Sequence, residues 1–384
     1  MEIYRVDAPA DAAAFLKRLG CDRGGVSIMA KKMETMLFAV RGLSCGAANI
    51  LKQDAISVGA DLALPKGAVS CDRESYDALL MGTRRQIEAL IEREKVQPLG
   101  LKRLAESLTS FMRTRHNDVR IMGVINANDD SFYPASRFRE SAAVAAIWKQ
   151  VQEGADIIDI GAVSSRPGSE PVPADEELLR IVPIVDAIKR EGLLSRVKFS
   201  IDSYTPEVVA YALENGFGIV NDITGLGDES IGVLAKDFGA KLVIMHMQGT
   251  PLTMQQNPSY ENVVLDVDRF FEERIERALA LGLDERELIL DVGIGFGKRL
   301  EHNLMLLKNL EHFGRFGCEL MIGASRKSMI DRISPSPVEK RLPGTIALHL
   351  QAVRRGAQIV RCHDVAEHRQ ALAVYEAVER GETL

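Results

Sequence analysis

The residues of this 384-residue chain that are best suited to chemistry lie at the ends of short apolar runs from Arg120 onward. They are carboxylates, amides, histidines and basic side chains, namely Asn126, Asp202, Asn221, Asp222, His246, Asp291, Arg361 and His363, with the segments SSRPG (164–168), GIGFGK (293–298) and SRKS (325–328). Carboxylates and amides accept hydrogen bonds from a donor-rich ligand, whereas arginine, lysine and histidine bind anions. Because all the runs end in such groups, the pattern indicates a binding site.

The apolar runs that must position these residues alternate with longer amphipathic stretches. They are RIMGVIN (120–126), IIDIGA (157–162), VKFSID (197–202), IVNDI (219–223), KLVIMHM (241–247), ELILDVG (287–293), LMIGAS (320–325) and QIVRCHD (358–364). This alternation is typical of βα units, and near-continuous apolar runs are typical of parallel strands buried on both faces. Eight runs over about 265 residues predict a closed (β/α)8 TIM barrel, in which the carboxyl ends of the strands meet at one mouth.

Residues 1–115 lack the regular alternation of apolar runs and amphipathic stretches that begins at Arg120. This difference predicts a separate, small α+β domain at 1–115 and leaves residues 116–384 for the barrel. This region has three short apolar runs, at 36–40, 60–64 and 78–82. It also has three helix-like segments, at 47–59, 83–95 and 100–115. The last segment ends in basic residues, which are typical of a helix C-terminus. No combination of residues in this domain points to a particular chemistry.

The bulk properties exclude several classes of function. With 46% hydrophobic and 27% charged residues the composition is that of an ordinary globular protein, and a net charge of −6 gives no indication of a nucleic-acid partner. There is no secretory signal and no apolar stretch long enough to span a membrane, so we expect a cytoplasmic protein. The five cysteines are odd in number and lack metal spacing, so we expect reduced thiols.

Several of these residues also have a simpler structural interpretation. Asp202, Asn221 and Asp291 could cap the helices that follow them, although an Asp at the end of an apolar strand is costly to bury without a donor. His246 is more often a packed core residue than a ligand, and the absence of HxH and HExxH spacing argues against a protein-only zinc site. GIGFGK lacks Walker spacing, so its glycines could serve only a tight turn.

Eight segments, in order, resemble the dihydropteroate synthase family across residues 118–380: NANDDSF, GADIIDIGAVSSRPG, FSIDS, IVNDI, KLVIMHMQGTP, LILDVGIGFGK, IGASRKS and GAQIVRCHD. Their number and order make the resemblance specific. It implies a transferase of folate biosynthesis that joins 6-hydroxymethyl-7,8-dihydropterin diphosphate to p-aminobenzoate and releases pyrophosphate. It also implies small-molecule substrates and a homodimer. Residues 1–115 lie outside the family core and look like the extension of its long-form members.

The resemblance also assigns site residues by position. The implied pterin pocket is Asp202, Asn221, Met245, Asp291, Phe296 and Lys327. The implied diphosphate site is Asn126, Ser165, Arg361 and His363, with magnesium near Asn126; Arg166 corresponds to the p-aminobenzoate side, and Asp130 lies near a pterin-methylene cation. A carboxylate such as Asp291 can accept two hydrogen bonds from the pterin edge, and magnesium with few protein ligands completes its shell with phosphate oxygens. The implied catalytic residues are Asn126, Asp130, Arg361 and His363, acting in a dissociative substitution.

The sequence departs from the family pattern in two loops. Asn128 and Asp129 replace the usual Thr and Pro of the first loop, and Val163 and Ser165 replace Glu and Thr of the second. These departures keep one alternative open, a pterin-binding paralogue with altered catalysis. A second alternative is a methyltetrahydrofolate-dependent methyltransferase, which resembles this family in fold and pterin pocket but would have no use for the basic SRKS and RCHD segments.

Overall fold

The computed structural model divides the chain into two compact units, one within residues 1–114 and 376–384 and the other within 115–375. The residues that it describes are 12–18, 20–113, 118–127, 136–164 and 168–380. Within them, no helix is long and apolar enough to cross a membrane.

The first unit contains the predicted α+β region, built on an antiparallel sheet of order β1-β3-β2. Its elements are α1 (Ala12–Arg18), α2 (Arg23–Met33), β1 (Thr35–Ser44), α3 (Cys45–Ser57), β2 (Asp61–Ala63), β3 (Ser75–Thr83), α4 (Arg84–Glu94) and α5 (Leu101–Ser110). Side-chain caps begin three of the helices: Asp22 accepts from the Gly25 N–H, Ser44 accepts from the Ala47 N–H, and Thr83 forms a capping box with Gln86. Helix α5 ends at Ser110, before the basic residues that were expected to close it.

Cys45 and Cys71 form a disulfide, so the expectation of reduced cysteines is wrong for this pair. Helix α3 begins at Cys45, and a short helical turn ends immediately before Cys71, which places their Cα atoms 5.4 Å apart. The Asn49 amide ties the two segments together, since its Nδ2 donates to the Cys45 carbonyl at 3.0 Å and to the Ala68 carbonyl at 3.2 Å. The two cysteines are 26 positions apart in the sequence and are brought together by the folding of the chain. No local sequence pattern predicts this disulfide.

Glu94 is a fully buried carboxyl group in the first unit, and it gives a stability prediction. Burial and the neighbouring Asp54 carboxylate raise its pKa from 4.5 to about 7. Because the pKa is higher in the folded state, the protonated group favours folding, and this contribution is lost as pH rises from 4.5 through about 7. We therefore expect Glu94→Gln to stabilise the unit by about 1 kcal/mol at pH 8, because the neutral amide can donate to Asp54.

Thermal unfolding of the full chain at pH 5 and pH 8 checks this expectation, with Glu92→Gln as the exposed control on the same helix. The gain in Tm should appear at pH 8 and nearly vanish at pH 5, where Glu94 is protonated. An equal gain at both pH values would contradict the assignment.

The second unit is a closed barrel of eight parallel strands with surrounding helices, which confirms the predicted TIM barrel. Its strands are β4 (Arg120–Asn126), β5 (Ile157–Gly161), β6 (Lys198–Asp202), β7 (Ile219–Asp222), β8 (Lys241–Met245), β9 (Leu288–Asp291), β10 (Glu319–Ile322) and β11 (Ile359–Cys362). Its helices are α6 (Ser136–Gln152), α7 (Ala174–Arg190), α8 (Pro206–Glu214), α9 (Glu229–Asp237), α10 (Val263–Ala280), α11 (Leu300–Lys308), α12 (Ser328–Ile333), α13 (Leu342–Arg354) and α14 (Val365–Arg380), of which residues 365–375 belong to this unit. Strand β11 pairs with both β10 and β4, which closes the ring.

The barrel interior is layered, and the layers explain where the polar residues lie. A central apolar layer consists of Met122, Ile157, Ile219, Val243, Ile289, Met321 and Ile359. Because strand side chains alternate with a period of two, the next inward position lies two residues further along each strand. On β5, β7, β9 and β11 that position holds Asp159, Asn221, Asp291 and Arg361. A polar layer therefore sits on the apolar one at the carboxyl mouth.

Candidate active site

Arg361 is the centre of a buried ionic network at the barrel mouth. Its Nε donates to Asp159 Oδ2 at 2.7 Å, and its Nη2 donates to Asp202 Oδ2 at 2.6 Å. The Asn221 amide donates to the same Asp159 oxygen at 2.9 Å. Burial alone would lower the pKa of Arg361, but the two carboxylates outweigh this effect and raise it. The network joins β5, β6, β7 and β11 in one arrangement.

Asp159 is the residue that the sequence reasoning missed. Its side chain is fully buried, and its Oδ1 atom has no hydrogen-bond partner among the described residues. A buried oxygen of this kind is costly unless a ligand or water supplies a donor. The available signal was an Asp in the middle of the apolar run IIDIGA, where a carboxylate has no reason to lie unless it has a partner inside the barrel.

Asp202 lies at the carboxyl end of β6, beside Arg361 and Asp159. Burial raises the pKa of its carboxyl group to about 7; Arg361 opposes the shift and Asp159 adds to it. Asp202 therefore changes charge near neutral pH, and its hydrogen-bonding capacity changes with it.

Asp291, on β9, is 5% exposed and lies across the mouth. Burial raises the pKa of its carboxyl group, although Lys327 and the Gly293 N–H oppose the shift. Its Oδ1 accepts from the Gly293 N–H at 2.8 Å, which fixes the start of the following loop. A Cβ atom at Gly323 would lie 3.8 Å from Asp291 Oδ2 and 3.9 Å from the Arg361 side chain. Gly323 therefore lies between the Asp291 carboxylate and the methylene groups of Arg361.

The loop GIGFGK (293–298) carries Phe296 to the mouth. Its three glycines, Gly293, Gly295 and Gly297, have φ values of 66°, 85° and 60°, which side chains other than glycine rarely adopt. The glycines therefore serve a tight loop, which was the simpler of the two sequence interpretations. The Lys327 ammonium lies 4.4 Å from the centre of the Phe296 ring.

Lys327 is a basic group whose charge acts on Asp291. Its Nζ donates to the Ile294 carbonyl, which joins the SRKS segment to the glycine loop. Burial lowers the pKa of Lys327 to about 8, and attraction to Asp291 opposes that shift. The lysine is therefore charged at neutral pH and begins to lose its proton just above it.

The buried Lys298 anchors the loop GIGFGK (293–298) to His246. Lys298 is 2% exposed, and its Nζ lies 2.8 Å from His246 Nδ1 while donating to the His246 and Phe296 carbonyls at 3.1 and 2.9 Å. Burial lowers the pKa of both Lys298 and His246. His246 is thus a packed residue that holds the loop, as expected, and the preceding Met245 is buried at the mouth.

The remaining predicted site residues lie toward the rim. Asn126 is half-buried at the carboxyl end of β4, and His363 is exposed just after β11, with Nδ1 2.9 Å from Ser325 Oγ. Arg361 and His363, both expected at the diphosphate site, therefore lie in different surroundings: Arg361 faces the carboxylates, and His363 lies at the rim. Val163 is half-buried. Asn128, Asp129, Asp130, Ser165 and Arg166 lie outside the described residues.

This arrangement suits a flat, polar heterocycle with an anionic substituent. Asp202, Asn221 and Asp291 supply acceptors for a donor-rich edge, Lys327 supplies a donor, and Phe296 supplies an apolar face. At the rim, His363 and Ser325 are close enough to bind one anion together. Among the described residues, no group of three or more His, Cys, Asp or Glu could hold a metal ion.

Comparisons with known proteins agree with this reading of the site. Residues 122–363 match the pterin binding enzyme family. A bifunctional dihydropteroate synthase/dihydropteroate reductase of Helicobacter pylori is 40% identical over 95% of this chain and 96% of its own length. A dihydropteroate synthase of Haemophilus influenzae is 41% identical over 67% of this chain and 93% of its own length.

A solved structure of Xanthomonas albilineans dihydropteroate synthase with 4-aminobenzoic acid is similar with a TM-score of 0.63 and 37% identity. The match covers 68% of this chain and 93% of that one. The barrel, the ordered motifs at its mouth and these relatives together show that the chain belongs to the pterin-binding enzyme family, as a member of its dihydropteroate synthases.

Proposed function

We propose that the barrel condenses 6-hydroxymethyl-7,8-dihydropterin diphosphate with p-aminobenzoate to give 7,8-dihydropteroate and pyrophosphate. The observation that carries this function is the convergence of Asp202, Asn221 and Asp291 with Lys327 and Phe296 at one barrel mouth. These groups match a pterin, whose pyrimidinone edge offers donors and whose ring system is flat. The resemblance to dihydropteroate synthases supplies the identity of the second substrate.

The pterin is held at the inner part of the mouth in this proposal. Asp291 accepts from the 2-amino edge of the ring, while Asn221 and Asp202 bond the remaining ring positions. Lys327 donates to a ring acceptor and Phe296 covers one face. The Oδ1 of Asp159 has no hydrogen-bond partner among the described residues; it lies in the same polar layer as Asn221 and Asp291 and is available to an ordered water or a ring N–H.

The diphosphate lies at the outer part of the mouth. His363 and Ser325 donate to its oxygens, and Asn126 contributes an amide oxygen at the end of β4. One hard oxygen ligand suits a magnesium ion that takes most of its ligands from diphosphate and water, so the residues present fit that ion. When bound, magnesium would neutralise negative charge on the pyrophosphate leaving group.

Catalysis then consists mainly of positioning and charge stabilisation. The C–O bond between the pterin methylene and the diphosphate breaks, and the bonding electrons leave with pyrophosphate. Arg361 holds the Asp159 and Asp202 carboxyl groups in position beside the resulting cation, and His363 stabilises the departing group. The aromatic amine then attacks the methylene carbon, and the proton that it loses passes to the released pyrophosphate or to solvent.

The two perturbed pKa values predict a narrow pH optimum for the free enzyme. Asp202, with a pKa of about 7, accepts two hydrogen bonds only when ionised, and Lys327, with a pKa of about 8, is charged only below that value. We expect kcat/KM for the pterin diphosphate to fall below pH 7 and above pH 8. Lys327→Arg should shift the upper limb to higher pH, because arginine stays charged. An unchanged upper limb in this variant would assign that limb to another group.

The direct test is pyrophosphate release from the pterin diphosphate with magnesium, with and without p-aminobenzoate. Amine-dependent release together with dihydropteroate formation is the expected result. Pterin binding without release would favour the catalytically altered paralogue. Methyl transfer from methyltetrahydrofolate in place of condensation would favour the methyltransferase.

We also propose a second activity, the reduction of dihydropteroate. It is supported by the alignment with the bifunctional relative, which spans 95% of this chain, whereas the Haemophilus synthase spans 67%. The longer match must take in most of residues 1–115, the part outside the barrel. The reaction requires a hydride donor, and reduced nicotinamide is the first to test. Oxidation of that donor that depends on dihydropteroate would support the activity, and oxidation unaffected by dihydropteroate would count against it.

We further propose a homodimer, which the family resemblance implies. Helices α11 and α12 expose the apolar side chains Leu304, Met305 and Ile333, at 43%, 49% and 54%. Exposed apolar residues on adjacent barrel helices are suited to burial against a second copy. Light scattering of the purified chain should give twice the mass of one chain.

A further inference from the structure

Two buried histidines behind the barrel mouth have no part in the mechanism described above. His349 lies on α13 and His368 on α14, and they are 1% and 2% exposed. His349 Nδ1 and His368 Nε2 are 2.9 Å apart. A pair of titratable rings is expensive to bury unless both rings are fully hydrogen-bonded.

Backbone groups at both ends fix the direction of this hydrogen-bonded pair. The Ala324 N–H donates to His349 Nε2 at 3.0 Å, so that nitrogen carries no proton and His349 Nδ1 carries it. His349 Nδ1 therefore donates to His368 Nε2. His368 Nδ1 carries the second proton and donates to the Asp364 carbonyl at 2.6 Å. One arrangement of protons satisfies all four ring nitrogens.

Both rings are neutral in this arrangement. Burial, with the charges of nearby groups, lowers the pKa of His349 to about 3. Burial also lowers the pKa of His368, although the Asp364 carbonyl opposes the shift. A second proton on either ring would place two N–H groups against each other, so the chain of bonds is stable only in its neutral form.

We call the chain of hydrogen bonds from the Ala324 N–H through His349 and His368 to the Asp364 carbonyl the histidine relay, or simply the relay. The relay joins two segments that carry site residues. We call residues 323–327, between β10 and α12, the lysine loop and residues 363–364, between β11 and α14, the histidine loop. The relay begins at Ala324 in the lysine loop and ends at Asp364 in the histidine loop, on the side that faces the helices. On the side that faces the mouth, Ser325 Oγ lies 2.9 Å from His363 Nδ1 and accepts from the His363 N–H at 3.3 Å.

A further pair of contacts fixes the same two loops. Arg326 donates to both Asp364 oxygens, with Nε at 2.9 Å and Nη2 at 2.6 Å. Arg326 adopts a φ of 55°, which arginine seldom adopts, and its N–H donates to Thr345 Oγ1 at 2.9 Å. Thr345 is one turn before His349 on α13. The helix thus holds the lysine loop at two points, immediately before and immediately after Ser325.

We propose that His349 and His368 act as positioning residues for the synthase site. Their relay sets the distance between the lysine loop and the histidine loop, so that Ser325 and His363 meet in the geometry that binds the diphosphate. The inference rests on the proposed function for what the site binds, but the relay itself is a property of the protein alone.

The first test of the relay measures the protonation of the histidine rings and does not depend on enzyme activity. Two-bond ¹H–¹⁵N correlation of chain labelled at histidine reports which ring nitrogen carries the proton. We expect two buried histidines in the neutral Nδ1–H tautomer, unchanged between pH 6 and pH 8. Assignment comes from the loss of each signal in the His349→Gln and His368→Gln variants. An Nε2–H tautomer or a charged ring at either position would overturn the relay.

The positioning role is tested by comparing Leu and Gln at each position. Leu removes both hydrogen bonds at similar volume, whereas Gln keeps one donor and one acceptor. We expect His349→Leu and His368→Leu to lower kcat/KM for the pterin diphosphate by about 10- to 100-fold, since small displacements at an active site cost this much. Affinity for 6-hydroxymethylpterin, which lacks the diphosphate, should change less than about threefold. The Gln variants should recover most of the loss.

The outcomes separate the inference from the proposed function. If the wild-type chain has no synthase activity, the proposed function fails, while the tautomer measurement still tests the relay. If the Leu variants lose only thermal stability and keep kcat/KM, or if Gln and Leu lower kcat/KM equally, the histidines fill space and the positioning role is wrong.

Discussion

Arg361→Met is expected to abolish synthase turnover, lowering kcat/KM by at least about 10³-fold, and to destabilise the barrel by about 3 kcal/mol. Arg361 is bonded to two carboxylates at once, at 2.7 Å to Asp159 and 2.6 Å to Asp202. Methionine fills a similar volume but leaves both carboxylates without their cation. Removing one partner from a buried ion pair is costly because the remaining charge has lost its solvent and its partner together.

A second substitution shows whether the loss of stability comes from the uncompensated carboxylates. Asp159→Asn in the Arg361→Met background removes one uncompensated charge, so it should recover much of the stability and little of the activity. Urea unfolding of the single and double variants measures the coupling. Arg354→Met, at an exposed position of α13, is the matched control and should change neither quantity. Equal stability of Arg361→Met and the wild-type chain would show that the network contributes nothing to folding.

Asp291→Asn should weaken the binding of 6-hydroxymethylpterin about 100-fold while leaving the fold intact. The carboxylate offers a charged acceptor to the donor-rich pterin edge, and bidentate bonds of this kind are among the strongest in proteins. A 100-fold change corresponds to about 2.7 kcal/mol. The asparagine Oδ1 can still accept from the Gly293 N–H, which the aspartate does at 2.8 Å. The loop that follows β9 therefore keeps its anchor.

Isothermal titration of pterin against the variant measures the affinity, and thermal unfolding verifies the fold. Asp237→Asn, on the exposed end of α9, is the control for loss of one negative charge. If Asp291→Asn bound pterin with the wild-type Kd, the pocket would have to lie elsewhere at the mouth.

The sequence by itself determined the architecture of the barrel. Apolar runs predicted all eight strands, and RIMGVIN coincides with β4 from Arg120 to Asn126. Strand periodicity also determined which side chains face inward, because the alternation of side chains is a local property of extended backbone. Polar residues at the ends of those runs therefore had to meet at one mouth once the ring closed.

Tertiary structure decided which of those residues are partners. Arg361 was expected to face an anion together with His363, yet it is bonded to Asp159, 202 residues earlier in the chain. Closure of the barrel brings β11 beside β4 and thus near β5, and the stagger between strands sets which inward positions lie at the same level. No local pattern contains that information.

The same reason applies to the other features that only the structure revealed. The Cys45–Cys71 disulfide and the His349–His368 relay each join residues on different elements. His349 and His368 lie on helices whose sequence shows only amphipathic periodicity, and an inward-facing histidine looks the same in sequence whether or not it has a partner. Local periodicity determines the direction of a side chain, whereas the packing of one element on another determines what that side chain meets.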